Sequence, residues 1–262
     1  MEQDTVKIVK RTVGLVLLFL VVAGIAGALL WFFGSPWDAS GAEKQITAYL
    51  QQQYPGQSWE VEKPRYDLST HGYRAQIRDP LQEDVFFTVL VRKGQVLSDS
   101  YEADVTEKGN TVRRLEQEYT ALVQERLEQV ELPAQVTASV RIDSASAAQV
   151  QLGMPFSREN GLSYSLMLEG TGSPTVDTVA ALLGVVYTEM EAAQYSFSSY
   201  GVQLEEDGGM IAVAQVSSAQ IKGGNLARIL QLAQQGEEDS EIYISVRQPQ
   251  QPAQTSEDSL AE

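Results

Sequence analysis

Residues 13–33 form an uninterrupted apolar run, VGLVLLFLVVAGIAGALLWFF, which contains no charged side chain. At 1.5 Å per residue, a helix of this length spans about 30 Å, the thickness of the hydrocarbon core of a bilayer. A helix satisfies its own backbone hydrogen bonds, so such a run can lie in lipid without exposing unpaired polar groups. The run therefore predicts one N-terminal transmembrane helix at 13–33, with the membrane as its partner.

The residues around this run predict its orientation. Lys7, Lys10 and Arg11 lie on its N-terminal side, and aromatic residues cluster at its other end. Positive charge is retained in the cytoplasm, and aromatic rings favour the membrane interface. We therefore expect residues 1–12 to be a short cytoplasmic tail and the bulk of the chain to be extracytoplasmic.

A cleaved signal peptide is the alternative interpretation of the run. Its apolar region would be about 7–15 residues long and would end at a cleavage site of small residues. The stretch Ala26–Ala28 suits such a site, but LLWFF follows at once and prolongs the apolar run. The sequence therefore favours an uncleaved signal anchor in a single-pass protein.

Composition restricts the compartment and the partners. The chain has no cysteine and no Asn-x-Ser/Thr sequon. Export without disulfides or sequons favours a bacterial cell envelope. Because residues 1–33 hold three of the 19 basic and two of the 35 acidic side chains, the exterior carries a net charge of −17. Such an acidic surface repels nucleic acid and anionic lipid headgroups, so no nucleic-acid partner is expected.

Periodicity divides the exterior into segments. A Gly/Ser/Pro spacer at 34–41 precedes a first exported α+β domain at 42–132. Pro133 interrupts a long helical pattern, and a second exported α+β domain follows at 134–247. Residues 248–262 have almost no apolar content and predict a disordered acidic tail.

Both domains combine amphipathic helices with alternating strands, and we expect their sheets to be antiparallel. The first has a helix at 42–53 and strands in GYRAQIR, DVFFTVLVR and QVLSDSY. A helix at 108–131 is expected to pack on this sheet, and a short coiled-coil seam is the alternative. The second has strands in QVTASVRI and LSYSLMLE, a helix at 175–193, a hairpin joined at Asp207–Gly209, a helix around Leu226 and a final strand in EIYISVR.

The acidic window SDSYEADVTEKGN, residues 98–110, is the most tempting chemical site. It fails the EF-hand template, because Tyr101 and Ala103 occupy positions that need oxygen ligands. Strand alternation would place Asp99 and Asp104 on opposite faces, where they could not share an ion. We therefore predict a strand exit followed by a helix start, with no metal site.

Other catalytic templates are missing from the sequence. His71 is the single histidine, and there is no Gly-x-Ser-x-Gly, Ser-x-x-Lys, Gly-x-Gly-x-x-Gly or Gly-Lys-Ser/Thr motif. The sequence predicts no catalytic residue, no cofactor-binding residue and no metal ligand.

The chain resembles the YfjL-like proteins of Gram-positive bacteria, a family of uncharacterised single-pass membrane proteins. The likeness covers about residues 13–125, and the second domain only loosely. It is carried by an N-terminal anchor, a helix ending in Tyr54-Pro55-Gly56, an aromatic strand after Arg78-Asp79-Pro80, the pair Asp99/Tyr101 and a helix containing Arg113-Arg114. The resemblance implies an α+β exported fold and assigns no activity or catalytic residues.

These observations predict a membrane-tethered, extracytoplasmic binding or scaffold protein of the cell envelope. A protein partner could contact its exported surface or the small residues of the anchor, Ala23, Gly24, Gly27 and Ala28. The alternative is an envelope hydrolase that acts on a cell-wall polymer through paired carboxylates. A cleft with two facing carboxylates of perturbed pKa would favour the alternative.

Overall fold

The computed structural model describes residues 19–25, 36–237 and 241–248. The chain divides into two compact units, Met1–Asn110 (unit 1) and Thr111–Glu262 (unit 2). Residues 19–25 are helical, whereas the rest of the predicted span 13–33 lies outside the described residues. Within the described ranges, no helix combines the length and apolarity that crossing a membrane requires.

Unit 1 is an antiparallel sheet with one helix on its face. The helix α1 is Pro36–Gln53, and the strands are β1 (Glu60–Val61), β2 (Arg65–Asp67), β3 (Gly72–Arg78), β4 (Phe86–Arg92) and β5 (Gln95–Asp99). The strand order is β1-β3-β4-β5, and β2 also pairs with β3. The predicted spacer is therefore shorter than expected, because α1 already begins at Pro36, where a proline with its fixed φ suits the first turn of a helix.

The core of unit 1 lies between α1 and the sheet. Ala42, Ile46 and Leu50 recur every four residues along α1, so they form one buried stripe. They belong to one cluster with the alternate inward side chains of β3 and β4, which are Ala75, Ile77, Phe87, Val89 and Val91. The alternation that predicted these strands also decides which of their side chains meet the helix.

Unit 2 is a five-stranded sheet with helices. Its elements are α2 (Gly109–Leu127, which begins two residues before the division), β6 (Gln135–Ile142), α3 (Ser144–Ala147), β7 (Tyr164–Thr171), α4 (Val176–Ala192), β8 (Ser199–Glu206), β9 (Gly209–Val216), α5 (Ser218–Lys222), α6 (Leu226–Gln235) and β10 (Tyr243–Arg247). The strand order is β10-β9-β8-β7-β6. The predicted helix at 175–193 and the hairpin of β8 and β9 are both confirmed.

The prediction of two antiparallel sheets is wrong for one strand pair. β7 and β8 run parallel, and their residues pair from Ser165 with Ser199 to Thr171 with Glu205. The helix α4 connects them as a crossover, which is the connection that a parallel pair needs. Because β6 pairs antiparallel with β7, β9 with β8 and β10 with β9, the sheet of unit 2 is mixed.

The prediction that the long helix packs on the first sheet is also wrong. Leu115, Tyr119, Val123 and Leu127 of α2 are buried in the core cluster of unit 2. The chain accordingly divides between Asn110 and Thr111 rather than at Pro133. An amphipathic pattern shows that a helix buries one face, but it does not identify the sheet that covers this face.

A second row of α2 side chains covers the edge strand β6. Three backbone N–H groups of β6 donate to side-chain oxygens that recur every four residues on α2. The pairs are Ile142 with Glu116 Oε1 (3.0 Å), Val140 with Thr120 Oγ1 (2.9 Å) and Ala138 with Gln124 Oε1 (2.9 Å). An uncovered edge would be a template for pairing with another chain, so α2 protects this edge of the sheet.

Candidate functional site: tyrosines gathered on Asp99

The acidic window of the sequence contains a strand end and a π-helical turn. β5 ends at Asp99, and residues Glu102–Thr106 form the turn before α2 begins. The predicted strand exit and helix start are therefore correct, but strand alternation does not continue to Asp104. The Ser100 hydroxyl donates to the carboxylate of Asp104, and the Asp104 N–H donates to the Ser100 carbonyl oxygen (2.9 Å). These local bonds favour a helical turn over an extended chain.

Asp99 accepts hydrogen bonds from two tyrosines of the α1 region. The hydroxyls of Tyr49 and Tyr54 both donate to its Oδ2, the latter at 3.0 Å. Its Oδ1 accepts a longer bond of 3.3 Å from the Tyr101 N–H. Both carboxylate oxygens are thus engaged by donors from α1, from the residue that follows it and from the start of the π-helical turn.

The environment of Asp99 keeps both tyrosines protonated. Burial, the hydrogen bond to Asp99 and the negative charge of Asp99, in that order, raise the pKa of Tyr49 to about 12. The same causes, with burial again the largest, raise the pKa of Tyr54 well above its ordinary value. A phenol that donates to a carboxylate resists ionisation, because losing the proton would remove the bond and place two negative charges together.

Aromatic rings surround this carboxylate. The rings of Tyr54 and Tyr101 lie 4.4 Å apart between centroids, and Phe87 meets Tyr101 edge-on at 5.1 Å. Trp59 meets Phe87 edge-on at 5.3 Å. The indole N–H of Trp59 is buried and has no acceptor among the described residues. Because the rings fill the space between one another, the cluster is a packed boundary of the unit 1 core.

The described residues show where the other candidate groups lie. In these ranges, no three His, Cys, Asp or Glu side chains are grouped so that they could hold a metal ion. His71 is exposed with a φ of 48°, and its Nδ1 lies 3.3 Å from the hydroxyl of Tyr66. It lies on the turn between β2 and β3.

The hydrogen bonds of this cluster give it a structural role. A general base needs a lone pair that a substrate proton can reach. Three donors of its own chain occupy three of the about four acceptor sites of the Asp99 carboxylate, and these bonds join the α1 region to the end of β5. The geometry identifies Asp99 as a clamp between helix and sheet.

Sequence reasoning found parts of this cluster without connecting them. Tyr54, Asp99 and Tyr101 were among the residues that carry the family resemblance. Tyr49 lies beside Ile46 and Leu50 in the helical pattern, which does not show what its hydroxyl contacts. The signal that could have linked them is the need of a half-buried tyrosine hydroxyl for an acceptor.

Comparison with known proteins supports the family resemblance over the first part of the chain. Residues 9–100 match the family described as YfjL-like, N-terminal domain. This span includes the apolar run, Tyr49, Tyr54 and Asp99. The chain matches no curated protein and no solved structure.

Proposed function

We propose that the protein is a membrane-tethered binding or scaffold protein of the bacterial cell envelope, with its bulk outside the cytoplasm. One observation is the main support for a membrane anchor. In the helical residues 19–25, the large apolar side chains are all exposed, from 56% for Val22 to 71% for Phe19. A helix that is apolar on every side needs an apolar surrounding, and lipid supplies it.

Two further facts support this anchor. The exposed residues are the centre of the longer apolar run 13–33, whose length suits a bilayer. The YfjL-like match begins at residue 9, so the run belongs to the matched region. The basic residues before the run favour a cytoplasmic N-terminus.

The environments of Asp99 and Asp67 support a binding or scaffold role over hydrolysis through these two carboxylates. The Asp99 carboxylate is held by three donors. Asp67 accepts from both the N–H and the hydroxyl of Ser69 and pairs with Arg74 at 2.9 Å. Hydrogen bonds from Ser69, followed by the charge of Arg74, lower the pKa of Asp67, which is the opposite of what a general acid requires.

Membrane fractionation with protease treatment tests the anchor and its orientation. The full chain should remain with membranes after alkaline carbonate extraction, and protease added to wall-stripped cells should digest the region after residue 36. The double variant Val21→Arg/Ile25→Arg should release the chain, since each arginine opposes insertion by about 2.5–3.5 kcal/mol. Leu81→Arg is the matched control, because Leu81 is 90% exposed outside the run. A wild-type chain that is extracted by carbonate would contradict the proposal.

A further inference from the structure

Two turns lie side by side at one end of the unit 1 sheet. One joins β2 to β3, and the other, at Lys93-Gly94, joins β4 to β5. Arg92 Nη1 donates to the carbonyl oxygen of Thr70 (3.4 Å), which connects the two turns. Five exposed side chains, which we call the basic end, surround them: Arg65, Leu68, Arg74, Arg92 and Lys93.

The basic end concentrates positive charge in an acidic protein. Arg65 and Arg74 are paired directly across β2 and β3. Like charges in this position destabilise a strand pair. Asp67, beside the basic end, offsets the charge of Arg74 at 2.9 Å. This leaves Arg65, Arg92 and Lys93 as the basic groups that face a ligand. The whole chain has a net charge of −16, and this local reversal of sign points to an anionic ligand.

The direction of α1 places its N-terminal end at the same end of the sheet as the basic end. The hydroxyl of Tyr49 reaches Asp99, which pairs with Val89 of β4. Five residues later, the ring of Tyr54 lies against Phe87, 5.6 Å away between centroids. The C-terminal end of α1 therefore lies toward the start of β4. Its first residue, Pro36, then points to the opposite end of the sheet, where β4 finishes at Arg92.

The tether between the apolar run and α1 is short. Gly34 and Ser35 separate Phe33 from Pro36, and a chain extends at most about 3.6 Å per residue, so Pro36 lies within about 11 Å of the run. Attraction to an anionic membrane surface acts over a Debye length of about 8–10 Å. Asp38 and Glu43 are exposed on α1 at this end, but they belong to the helix layer, on the other face of the sheet from Arg65 and Arg74.

We propose that the basic end of unit 1 binds the anionic lipid headgroups of the membrane in which the chain is anchored. The inference rests on the proposed anchor and adds a second membrane contact. Arg65, Arg92 and Lys93 bind headgroup phosphates. Leu68, which is 41% exposed at the tip of the turn, contacts the apolar boundary below them. The second contact orients unit 1 relative to the bilayer.

Energy transfer in lipid nanodiscs tests this contact on the full chain. Because the protein has no cysteine, one donor dye can be attached at Gln95→Cys beside the basic end, or at Gln82→Cys in the loop at the opposite end of the sheet. The acceptor is a headgroup-labelled lipid. Transfer from position 95 should increase when about 30% phosphatidylglycerol replaces neutral lipid, and high salt should abolish the increase. Transfer from position 82 should not increase.

Charge removal completes the test. Each basic side chain near an anionic surface favours contact by about fivefold, so Arg92→Gln/Lys93→Gln should weaken the contact by about 25-fold. The matched control, Lys222→Gln/Arg228→Gln, removes two exposed charges from unit 2 and should leave the transfer unchanged. The proposal is overturned if energy transfer from position 95 of an inserted chain does not depend on phosphatidylglycerol. It is also overturned if Arg92→Gln/Lys93→Gln leaves that dependence unchanged. A chain that does not enter nanodiscs overturns the anchor as well.

Discussion

The two units solve the problem of stability differently. Among the described residues, the core of unit 2 contains 27 buried apolar residues, including Leu115, Leu168 and Val186, whereas that of unit 1 contains ten. Unit 1 adds the hydroxyl bonds of Tyr49 and Tyr54 to Asp99 at the boundary of its smaller core. A small domain buries a smaller fraction of its surface, so polar contacts at its boundary carry a larger share of its stability.

The polar contacts of unit 2 serve another purpose. Glu116, Thr120 and Gln124 do not join the core but satisfy the backbone of the edge strand β6. Their loss should expose an edge more than it loosens the packing. In unit 1, the polar contacts hold a helix to the sheet. In unit 2, Glu116, Thr120 and Gln124, which we call the polar row, cover an edge of the sheet.

A charge in the larger core should produce the largest effect. Leu115 is 0% exposed in the core of unit 2, so Leu115→Asp places an unpaired carboxylate there. We expect a loss of about 4 kcal/mol or more in the free energy of unfolding of unit 2. Amide hydrogen exchange on the full chain should show loss of protection in β6–β9, with β3 and β4 still protected.

Gln117→Asp is the control for this variant, because Gln117 is exposed on the same helix. It should change unfolding by less than about 0.5 kcal/mol. Loss of protection in β3 and β4 together with unit 2 would show that the two units unfold as one, and that their cores do not stabilise them separately.

Removing one member of the polar row should have an intermediate effect. Glu116 is 8% exposed and accepts from the Ile142 N–H and from Arg141 (2.9 Å). Glu116→Ala leaves this N–H unpaired and should cost about 1–3 kcal/mol. Glu116→Gln keeps an acceptor and should cost less. Denaturant unfolding followed in unit 2 measures both.

Glu118→Ala is the matched control on the same helix. Glu118 forms an i,i+4 pair with Arg114 at 2.9 Å, and its side chain is 41% exposed, so its loss should cost about 0.5 kcal/mol or less. Equal costs for Glu116→Ala and Glu118→Ala would show that the polar row does not stabilise the edge.

Weakening the clamp should have a smaller effect, confined to unit 1. Asp99→Asn removes the negative charge that Tyr49 and Tyr54 donate to, and at this half-exposed position we expect a loss of about 1–2 kcal/mol. Exchange protection of β3 and β4 reports it. Tyr49→Phe should add little in the Asp99→Asn background, because the interaction it removes is already weakened.

Glu102→Gln is the control for the clamp, since Glu102 is exposed three residues after Asp99. If Asp99→Asn and Glu102→Gln destabilise unit 1 equally, Asp99 does not clamp α1 to the sheet.

Local patterns in the sequence were sufficient for most elements. β3 and β6 occupy the predicted segments GYRAQIR and QVTASVRI, and α4 lies within one residue of its predicted bounds. The periodicity of two or 3.6 residues is a local property, so one sequence shows it directly. The partner of an amphipathic face is non-local, which is why α2 was assigned to the wrong sheet.

The contacts of Tyr49 and Tyr54 with Asp99 could not be predicted from local patterns. Tyr49 and Tyr54 are separated from Asp99 by 50 and 45 residues, and no pattern marks their approach. The strand alternation extrapolated through Asp104 failed because the hydroxyl of Ser100 stabilises a local turn. Tertiary hydrogen bonds and local side-chain bonds both override a periodic pattern.

The smallest expected effect is seen in alkaline titration, which distinguishes the contribution of Asp99 to the tyrosine pKa values from that of burial alone. Tyr49 in unit 1, and Tyr119 and Tyr200 in unit 2, each have a pKa raised to about 12, with burial as the largest cause. A pKa above the unfolded value of about 10 means that folding favours the protonated phenol. The stability that these groups contribute is complete below pH 10, and it is lost as pH rises from about 10 to about 12.

Burial is the largest cause in all three tyrosines, but in Tyr49 the hydrogen bond to Asp99 and the charge of Asp99 add to it. Asp99→Asn should therefore lower the pKa of Tyr49 and flatten the alkaline loss of stability in unit 1, with no change in unit 2. Tyrosinate absorbance of the full chain, compared between wild type, Asp99→Asn and Tyr49→Phe, assigns the late-titrating groups. Hydrogen-exchange protection measured as pH rises assigns the loss to each unit. An unchanged slope for unit 1 in Asp99→Asn would mean that burial alone sets the titration of Tyr49, and that the two units differ only in the size of their cores.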